Sequence, residues 1–554
     1  MKVLYWAIFF SLIFNFNFSN AEPPPTGEPY KLNGKRLVFT NWTYIRPGDV
    51  GWIDKTGKSV YADKNAKLGP FDADWNPQDH IPWGIRIKAL KPSEIKIHEI
   101  NNEYSWELGG KISIGSIVFD NGIYKAWGSC KAGNCYLESK DGIKWERPKL
   151  GLVEYEGSRD NNLIPSAPPG RVFIDPNSKN ERYKCVFEQS DKITYEGFKE
   201  YIKRYPSDWS PNSIRKVDGK PIIVSLGGAV SSDGFRWITL DEPILMEHCD
   251  TDNIGYYNSQ IQKYTAYVRT WNALIRAPNQ PIKETTLDTW FPASRRSIAI
   301  SVTDDFRHFR KSSMILEPGP EMPPSDDIYT NCFTWIPGSP ELFLMFPALF
   351  HRFNDTTSIA CASSSDGINW HWIPEGMNLI DTASFGEWNG GCIFAFPPLM
   401  ELGDGSFALR FSANDVPHKY PRGILKSETG IAIWPHGRIF VLEAPEKGEF
   451  ATVAFVPNGN KLFINARTKR AGSIRVAVNR GLRDSEFTME HDWYKIMGKA
   501  ISDREFENSI PIIGDHVRTQ VRWNNADDLG VKSDEPVVLI FKLEQAEIFA
   551  LEFE

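Results

Sequence analysis

Glu247-His248-Cys249-Asp250-Thr251-Asp252 gathers three carboxylates and a histidine in one short polar stretch. Asp326 and Asp327 stand just ahead of Tyr329, Thr330 and Asn331, and Glu387 lies beside Trp388 and before Gly390-Gly391. Glu107 echoes that last arrangement, next to Trp106 and before Gly109-Gly110. Cations and aromatics follow at a distance: Arg269 and Trp271, His351 and Arg352, then Asp415, His418, Lys419 and Arg422. Carboxylates converging with Arg, His and Trp are what cleavage of a glycosidic bond needs. One acid protonates the leaving oxygen, a second acts on the anomeric carbon or its water, and an indole offers a platform for the ring. On this pattern the candidate catalytic residues are Asp250, Asp327 and Glu387. Glu107, Arg269, Trp271, His351, Arg352, His418, Lys419 and Arg422 are candidates for holding substrate. Glu387 is the preferred acid, because an apolar flank favours the protonated carboxyl.

Each candidate has a plainer reading. Asp250 could cap a turn, Asp326-Asp327 could be an ordinary acidic loop, and His351 and His418 could be satisfied structural histidines. The arginines could be ion-paired scaffolding; if Arg269, Arg352 and Arg422 face a ligand, three cations suit a carboxylated or sulfated sugar. Acids paired at an axis could hold a structural Ca²⁺, although no loop carries a ligand spacing for it. No other cofactor is implied.

The elements that must position these groups announce themselves through a repeat. Ser139-Lys140-Asp141-Gly142-Ile143-Lys144-Trp145, Ser232-Asp233-Gly234-Phe235-Arg236-Trp237 and Ser365-Asp366-Gly367-Ile368-Asn369-Trp370 are copies of one turn. Asp305-Phe306-Arg307-His308-Phe309 is a degenerate copy, and Trp434 takes the aromatic's place in a fifth unit. From aromatic to aromatic the steps are 92, 72, 61 and 64 residues. Asp-Gly is hairpin chemistry: glycine supplies the positive φ and the Asp side chain bonds to nearby backbone. Repeats of this length with one turn signal each predict sheets repeated around an axis, and five units fit.

Short apolar or alternating runs supply three strands per unit. They are Ile114–Asp120, Ile123–Gly128 and Cys135–Ser139; Arg171–Asp175, Arg182–Glu188 and Gly228–Ser231; Ile254–Tyr257, Tyr264–Arg269 and Ser297–Val302. The fourth unit has Tyr329–Trp335, Leu342–Phe350 and Ser358–Ser363, and the fifth Cys392–Phe396, Ser406–Phe411 and Gly430–Trp434. Ser190 to Lys220, with a helix-like Tyr195–Tyr205, is an insertion and accounts for the longest step. After residue 437 the Asp-Gly motif is absent and β-like runs continue at shorter spacing, as a β-sandwich would require. The expected fold is all-β: a signal peptide over 1–21, an N-terminal β-rich cap over 22–105, a five-bladed β-propeller over 106–437 and a C-terminal β-sandwich over 438–554.

Composition agrees with this and narrows the setting. At 554 residues the chain is too long for one ordinary core. A net charge of −7 gives no electrostatic footprint for nucleic acid. Nineteen Trp are many, which fits sugar stacking as well as β-sheet cores. Lys2, the apolar run Val3 to Phe14 and Ser19-Asn20-Ala21 have the form of a secretory signal, so the mature chain is expected to be secreted or periplasmic, without a membrane anchor. Seven cysteines leave at least one free; Cys130 and Cys135 could bridge a hairpin end, or all seven could be small buried apolar residues. Asn41-Trp42-Thr43 and Asn354-Asp355-Thr356 match the glycosylation sequon.

Three further runs carry a resemblance. Leu150-Gly-Leu-Val-Glu-Tyr155 with Ser158-Arg159-Asp160-Asn161-Asn162, Asp415-Val-Pro-His-Lys-Tyr-Pro-Arg422, and Glu535-Pro-Val-Val-Leu-Ile-Phe541 resemble a bacterial group of family 32/43-like glycoside hydrolases. The order of signal, five units and terminal β-domain is similar to secreted levanase, invertase and arabinanase enzymes. The resemblance implies a glycoside hydrolase acting on a plant or algal polysaccharide or its oligosaccharides. The invertase-type Asn-Asp-Pro-Asn, Arg-Asp-Pro and Glu-Cys motifs are absent, so that chemistry is not inherited; Phe173-Ile174-Asp175-Pro176 is the nearest imitation, and Asp175 reads as a turn residue. A carbohydrate-binding propeller without turnover is the alternative. A sialidase-like enzyme is a third, weakened by five units and by turns lacking a second glycine.

In such a blade the first strand is innermost and runs away from the ligand face, and the second returns. Ligand-face residues then come from just before strand one and just after strand two. The Asp-Gly turns join strands three and four on the opposite face, which makes the clearest repeat a structural one.

Overall fold

A computed structural model describes residues 28–47, 81–217, 220–273, 294–320, 322–483 and 497–554. The expected signal segment and the leader ahead of residue 28 lie outside them. Among the described residues one α-helix, Tyr195–Arg204, stands in the expected insertion, and every other extended element is a strand. No described helix is long and apolar enough to cross a membrane.

The repeat units fold as small antiparallel sheets in chain order, one to a unit except the fourth, which holds two. The first holds Ser113–Asp120, Ile123–Cys130 and Gly133–Ser139; the second holds Arg171–Ile174, Tyr183–Ser190 and Lys220–Ser231, with Ile238–Thr239 at its edge. The third runs Ile254–Asn258, Lys263–Ala273, Ser294–Thr303 and Ser313–Leu316. The fourth consists of two four-stranded ladders end to end: Asp326–Ile328 continues into Phe333–Ile336, and Ser339–Met345 into Ala348–His351. In the fifth, Cys392–Glu401, Phe407–Asn414 and Ser427–Trp434 are completed by Glu94–Ile97, a strand from the other end of the chain.

Neighbouring sheets touch in cyclic order. Ser113–Asp120 meets Arg171–Ile174, which meets Ile254–Asn258; the third sheet meets Asp326–Ile328; Phe333–Ile336 meets Cys392–Glu401, which returns to Ser113–Asp120. All five contribute to one cavity of about 320 Å³, lined by Val118, Phe173, Tyr256, Trp335 and Pro397 among others. Buried Ile, Val and aromatic side chains fill the spaces between neighbouring sheets, as alternation along each strand requires.

The repeated turn closes as its composition dictates. Asp366 Oδ1 accepts from the amides of Ile368 and Asn369, both at 2.8 Å, and Gly367 takes φ +77°. Asp141 and Asp233 repeat the pattern. A serine two residues earlier (Ser139, Ser231, Ser364) accepts from the glycine amide at 2.9 Å in each copy. The glycine carbonyls stitch neighbours together: Trp127 donates to Gly234 at 2.6 Å and Tyr267 to Gly367 at 2.9 Å.

These turns set an acid limit on stability. Burial pushes the carboxyls of Asp141, Asp233 and Asp366 up, but the backbone amides hold all three below the usual aspartate value. A depressed folded pKa contributes stability above the unfolded value near 4 and loses it as pH falls through the folded one. The unfolding midpoint should therefore drop as pH falls below the unfolded aspartate value near 4, and a variant with all three as Asn should show a flatter profile. Parallel profiles would remove the turns as the cause.

The described part of the N-terminal stretch, expected as a β-rich cap over 22–105, is divided between two sheets. Glu94–Ile97 completes the fifth sheet, while Tyr30–Lys31, Arg36–Leu37 and Arg86–Ala89 join a nine-stranded sheet built otherwise from residues after 437. Four exposed or edge residues cannot bury a core alone, so the strands add to existing edges, where backbone groups await partners. Trp434, 1% exposed, fixes this junction by donating to the Leu90 carbonyl at 2.7 Å. The nine strands form one continuous ladder, with Leu462–Gly481 and Val537–Phe553 at its centre and a register shift between Thr468 and Ser473. Their apolar face shares one core with the fourth and fifth sheets.

All seven cysteines are free, and six are buried. Cys130 and Cys135 lie on one hairpin, and the neighbouring Cys135 thiol pulls the Cys130 thiol down. Asn41 is 8% exposed and donates to Ser363, so that sequon is closed to modification; Asn354 is exposed.

Candidate functional site

Antiparallel pairing brings the starts of the first strands to the same end as the finishes of the second: Ser113 opposite Ser129, Asp326 opposite His351, Cys392 opposite Asn414. At this end a cavity of about 590 Å³ opens between the first three sheets. Ser113, Trp127 and Asn134 line it from the first sheet, Arg171 and Glu188 from the second, and Asp250, Asp252 and Asn253 from the approach to the third.

Asp250 and Asp252 reach the cavity through a bent backbone. Their φ values are +55° and +58°, a left-handed conformation that Asp tolerates better than most residues. Asp252 is paired with Arg171 at 3.1 Å, and Asp250 with Arg269. The Asp250 side chain keeps 34% of its surface exposed and Asp252 19%, so a ligand can reach both. Glu188 holds the loop in place by accepting from the amides of Cys249 and Asp250 and by pairing with His248 Nδ1 at 2.8 Å. Glu247, in the same stretch, is pushed up by burial, against hydrogen bonds from Ser312 at 2.7 and 2.6 Å, and does not line the cavity.

Beside the cavity, the basic candidates form a wall around Tyr329. Arg269 donates through Nε to the Tyr329 carbonyl at 2.7 Å and lies over its ring at 4.0 Å. Arg296 lies 4.8 Å from the same ring, and the Tyr329 hydroxyl meets His418 Nε2 at 2.9 Å. Trp271 stacks on His248 at 5.3 Å. His351 bridges Asp326 at 3.1 Å and Ser358 at 3.0 Å. The arginines and histidines are thus tied into the framework, the plainer of the two readings.

Three expected acids are not where a ligand could use them. Asp327 is fully buried, clamped by Arg296 at 2.5 Å and by Arg352 at 2.9 Å, so both its oxygens are occupied. Glu107 is buried against Arg147 at 3.0 Å and accepts from the amides of Glu103 and Tyr104. Glu387 is exposed on a turn apart from the cavity, and the indole expected to flank it, Trp388, stacks on Phe411 instead. Glu387→Gln should leave any sugar-directed activity within about twofold of wild type, as surface changes do. A large loss would return Glu387 to the site. Lys419 is exposed, with its amide on Asp355, and the Arg422 side chain lies outside the described residues.

Arg171, Glu188, Trp127 and Asn134 were not singled out from sequence. Arg171 opens a first strand and Glu188 closes a second, so the topological rule itself pointed to both. Among the described residues no cluster of three or more His, Cys, Asp or Glu is placed to hold a metal ion.

No family model matches the chain, and no curated protein matches it. Solved structures resemble it weakly. A thermostable family-43 glycoside hydrolase is 13% identical, covering 60% of this chain and 92% of its own, with a TM-score of 0.33. The Bombyx mori GH32 beta-fructofuranosidase is 10% identical over 80% of this chain and 93% of its own, at 0.32. An N-acetylgalactosamine deacetylase from F. plautii, in complex with blood group B trisaccharide, is 11% identical over 71% and 95%, at 0.33. Likenesses of this size neither place the chain in a family nor assign it an activity.

Proposed function

We propose that the five repeat units are the blades of a β-propeller, that the nine-stranded sheet folds over as a sandwich, and that the chain is a secreted glycoside hydrolase. The observation that carries the activity is the pairing of two accessible carboxylates, Asp250 and Asp252, in one cavity at the mouth of the ring. Asp252, held by Arg171, acts on the anomeric carbon or its water. Asp250, the more open of the two, is the partner placed to pass a proton to the leaving oxygen once substrate displaces its contact with Arg269. The substrate is a plant or algal polysaccharide or a derived oligosaccharide. Residues 1–21 serve as the export signal.

A second reading has its own support. Each carboxylate of the cavity already has an arginine or amide partner, which suits a carbohydrate-binding propeller that does not turn over its ligand. A reducing-sugar screen against neutral, uronic and sulfated polysaccharides separates the two. Release by the wild type and not by Asp252→Asn supports hydrolysis, and binding without release supports the lectin-like reading.

A further inference from the structure

Between the fifth and first sheets lies a second cavity, of about 480 Å³, that shares Ser113, Gly115 and Arg171 with the first. Its floor includes Phe396 and Ser412, and His98 closes one side. Arg410 sits directly across from Phe396 in the strand ladder and two residues before Ser412, so its side chain leaves the same face of the sheet as both.

Arg410 is out of place for a structural arginine. It is 6% exposed, yet its side chain forms no ion pair or hydrogen bond with any described residue, and its Nε is buried without a partner. His98 Nε2 is also buried and unpartnered. Nearby acids are already engaged: Asp252 by Arg171 at 3.1 Å, and Glu99 and Glu428 by Lys111 at 2.9 and 2.7 Å. Arg171 rests over the Phe396 ring at 4.3 Å, bringing a second guanidinium to the same floor. A buried cation without an anion is costly, and proteins keep one where a ligand supplies the missing charge. Burial and the Arg171 charge pull Arg410 down to about 10, so it still carries its proton at neutral pH. Burial, with Arg410 and Lys96, pushes His98 down to about 4, leaving a neutral ring whose Nε2 is a hydrogen-bonding group rather than a second charge.

We propose that Arg171 and His98 on the cavity wall, with Arg410 directly behind the Phe396–Ser412 floor, form a binding site for an oxyanion — a carboxylate, sulfate or phosphate group — between the fifth and first sheets. Arg410 presents the planar fork that matches such groups, and Arg171 joins this cavity to the one holding Asp252. An acidic saccharide could thus set its charged substituent here and its neutral ring in the first cavity; a free inorganic anion would satisfy the same groups.

The test is calorimetric titration of the full chain with sulfate, phosphate and galacturonate at fixed ionic strength, with chloride and galactose as controls. Wild type should bind at least one oxyanion, and Arg410→Met should bind it at least about tenfold more weakly. The ligand-free variant should unfold no earlier than wild type, because the substitution removes an unpaired buried charge. Binding of inorganic ions alone identifies a free-anion site; galacturonate binding without galactose binding identifies the acidic sugar. Only the sugar arm rests on the proposed function, so the failure of one leaves the other legible. No oxyanion binding to wild type, equal binding by the variant, or a variant that unfolds well before wild type would each overturn the proposal.

Discussion

Asp327→Asn is expected to destabilise the protein by about 3–5 kcal/mol, the usual cost of breaking a buried ion pair from one side. The carboxylate has no exposed surface and accepts from Arg296 and Arg352 together, so the amide leaves the buried Arg296 and the partly exposed Arg352 short of their anion. The effect is structural, and urea unfolding should show it in full, with activity per folded molecule unchanged. The clamp also carries the Tyr329 wall, since Arg296 packs on that ring. Loosening it should therefore lower the protection of backbone amides around Tyr329 before the whole ring opens. A variant of wild-type stability that had lost sugar release would instead return Asp327 to the chemistry.

Asp252→Asn should leave the fold intact and lower sugar release by about 10²–10⁴-fold, the range that a positioned acid–base group supplies. The side chain is only 19% exposed, but its surroundings are polar, and an amide still accepts from Arg171 through its oxygen. Asp250→Asn should lose activity on a similar scale, and the double variant should lose little more than either, since the two act as a unit. Unchanged release in both single variants would remove this cavity as the site of hydrolysis.

The parts of the fold that were legible were the local ones. An Asp-Gly turn forms from hydrogen bonds within five residues, so Asp141, Asp233 and Asp366 announced their turns directly. Glu94–Ile97 did not, because its four residues carry no core of their own and take their place only by pairing with Ser427–Trp434, more than three hundred residues away. Site residues divided on the same line. Asp250 was found because polar groups crowd its stretch, and it does line the cavity. Asp327 and Glu107 carried the same signal from sequence, and only tertiary packing sets Arg296, Arg352 and Arg147 against them. Glu387 was preferred for a neighbouring indole, but adjacent side chains need not share an environment: Trp388 turns to Phe411 while Glu387 faces solvent. Arg410 lay in the predicted strand Ser406–Phe411, where nothing in the sequence distinguishes a paired arginine from an unpaired one.

The most direct test is a crystal of Asp252→Asn soaked with an oligosaccharide that the wild type cleaves. Density for an intact sugar between Arg171, Glu188, Asp250 and residue 252 is the predicted result. A sugar bound elsewhere on the ring, with this cavity empty at saturating ligand, would contradict it.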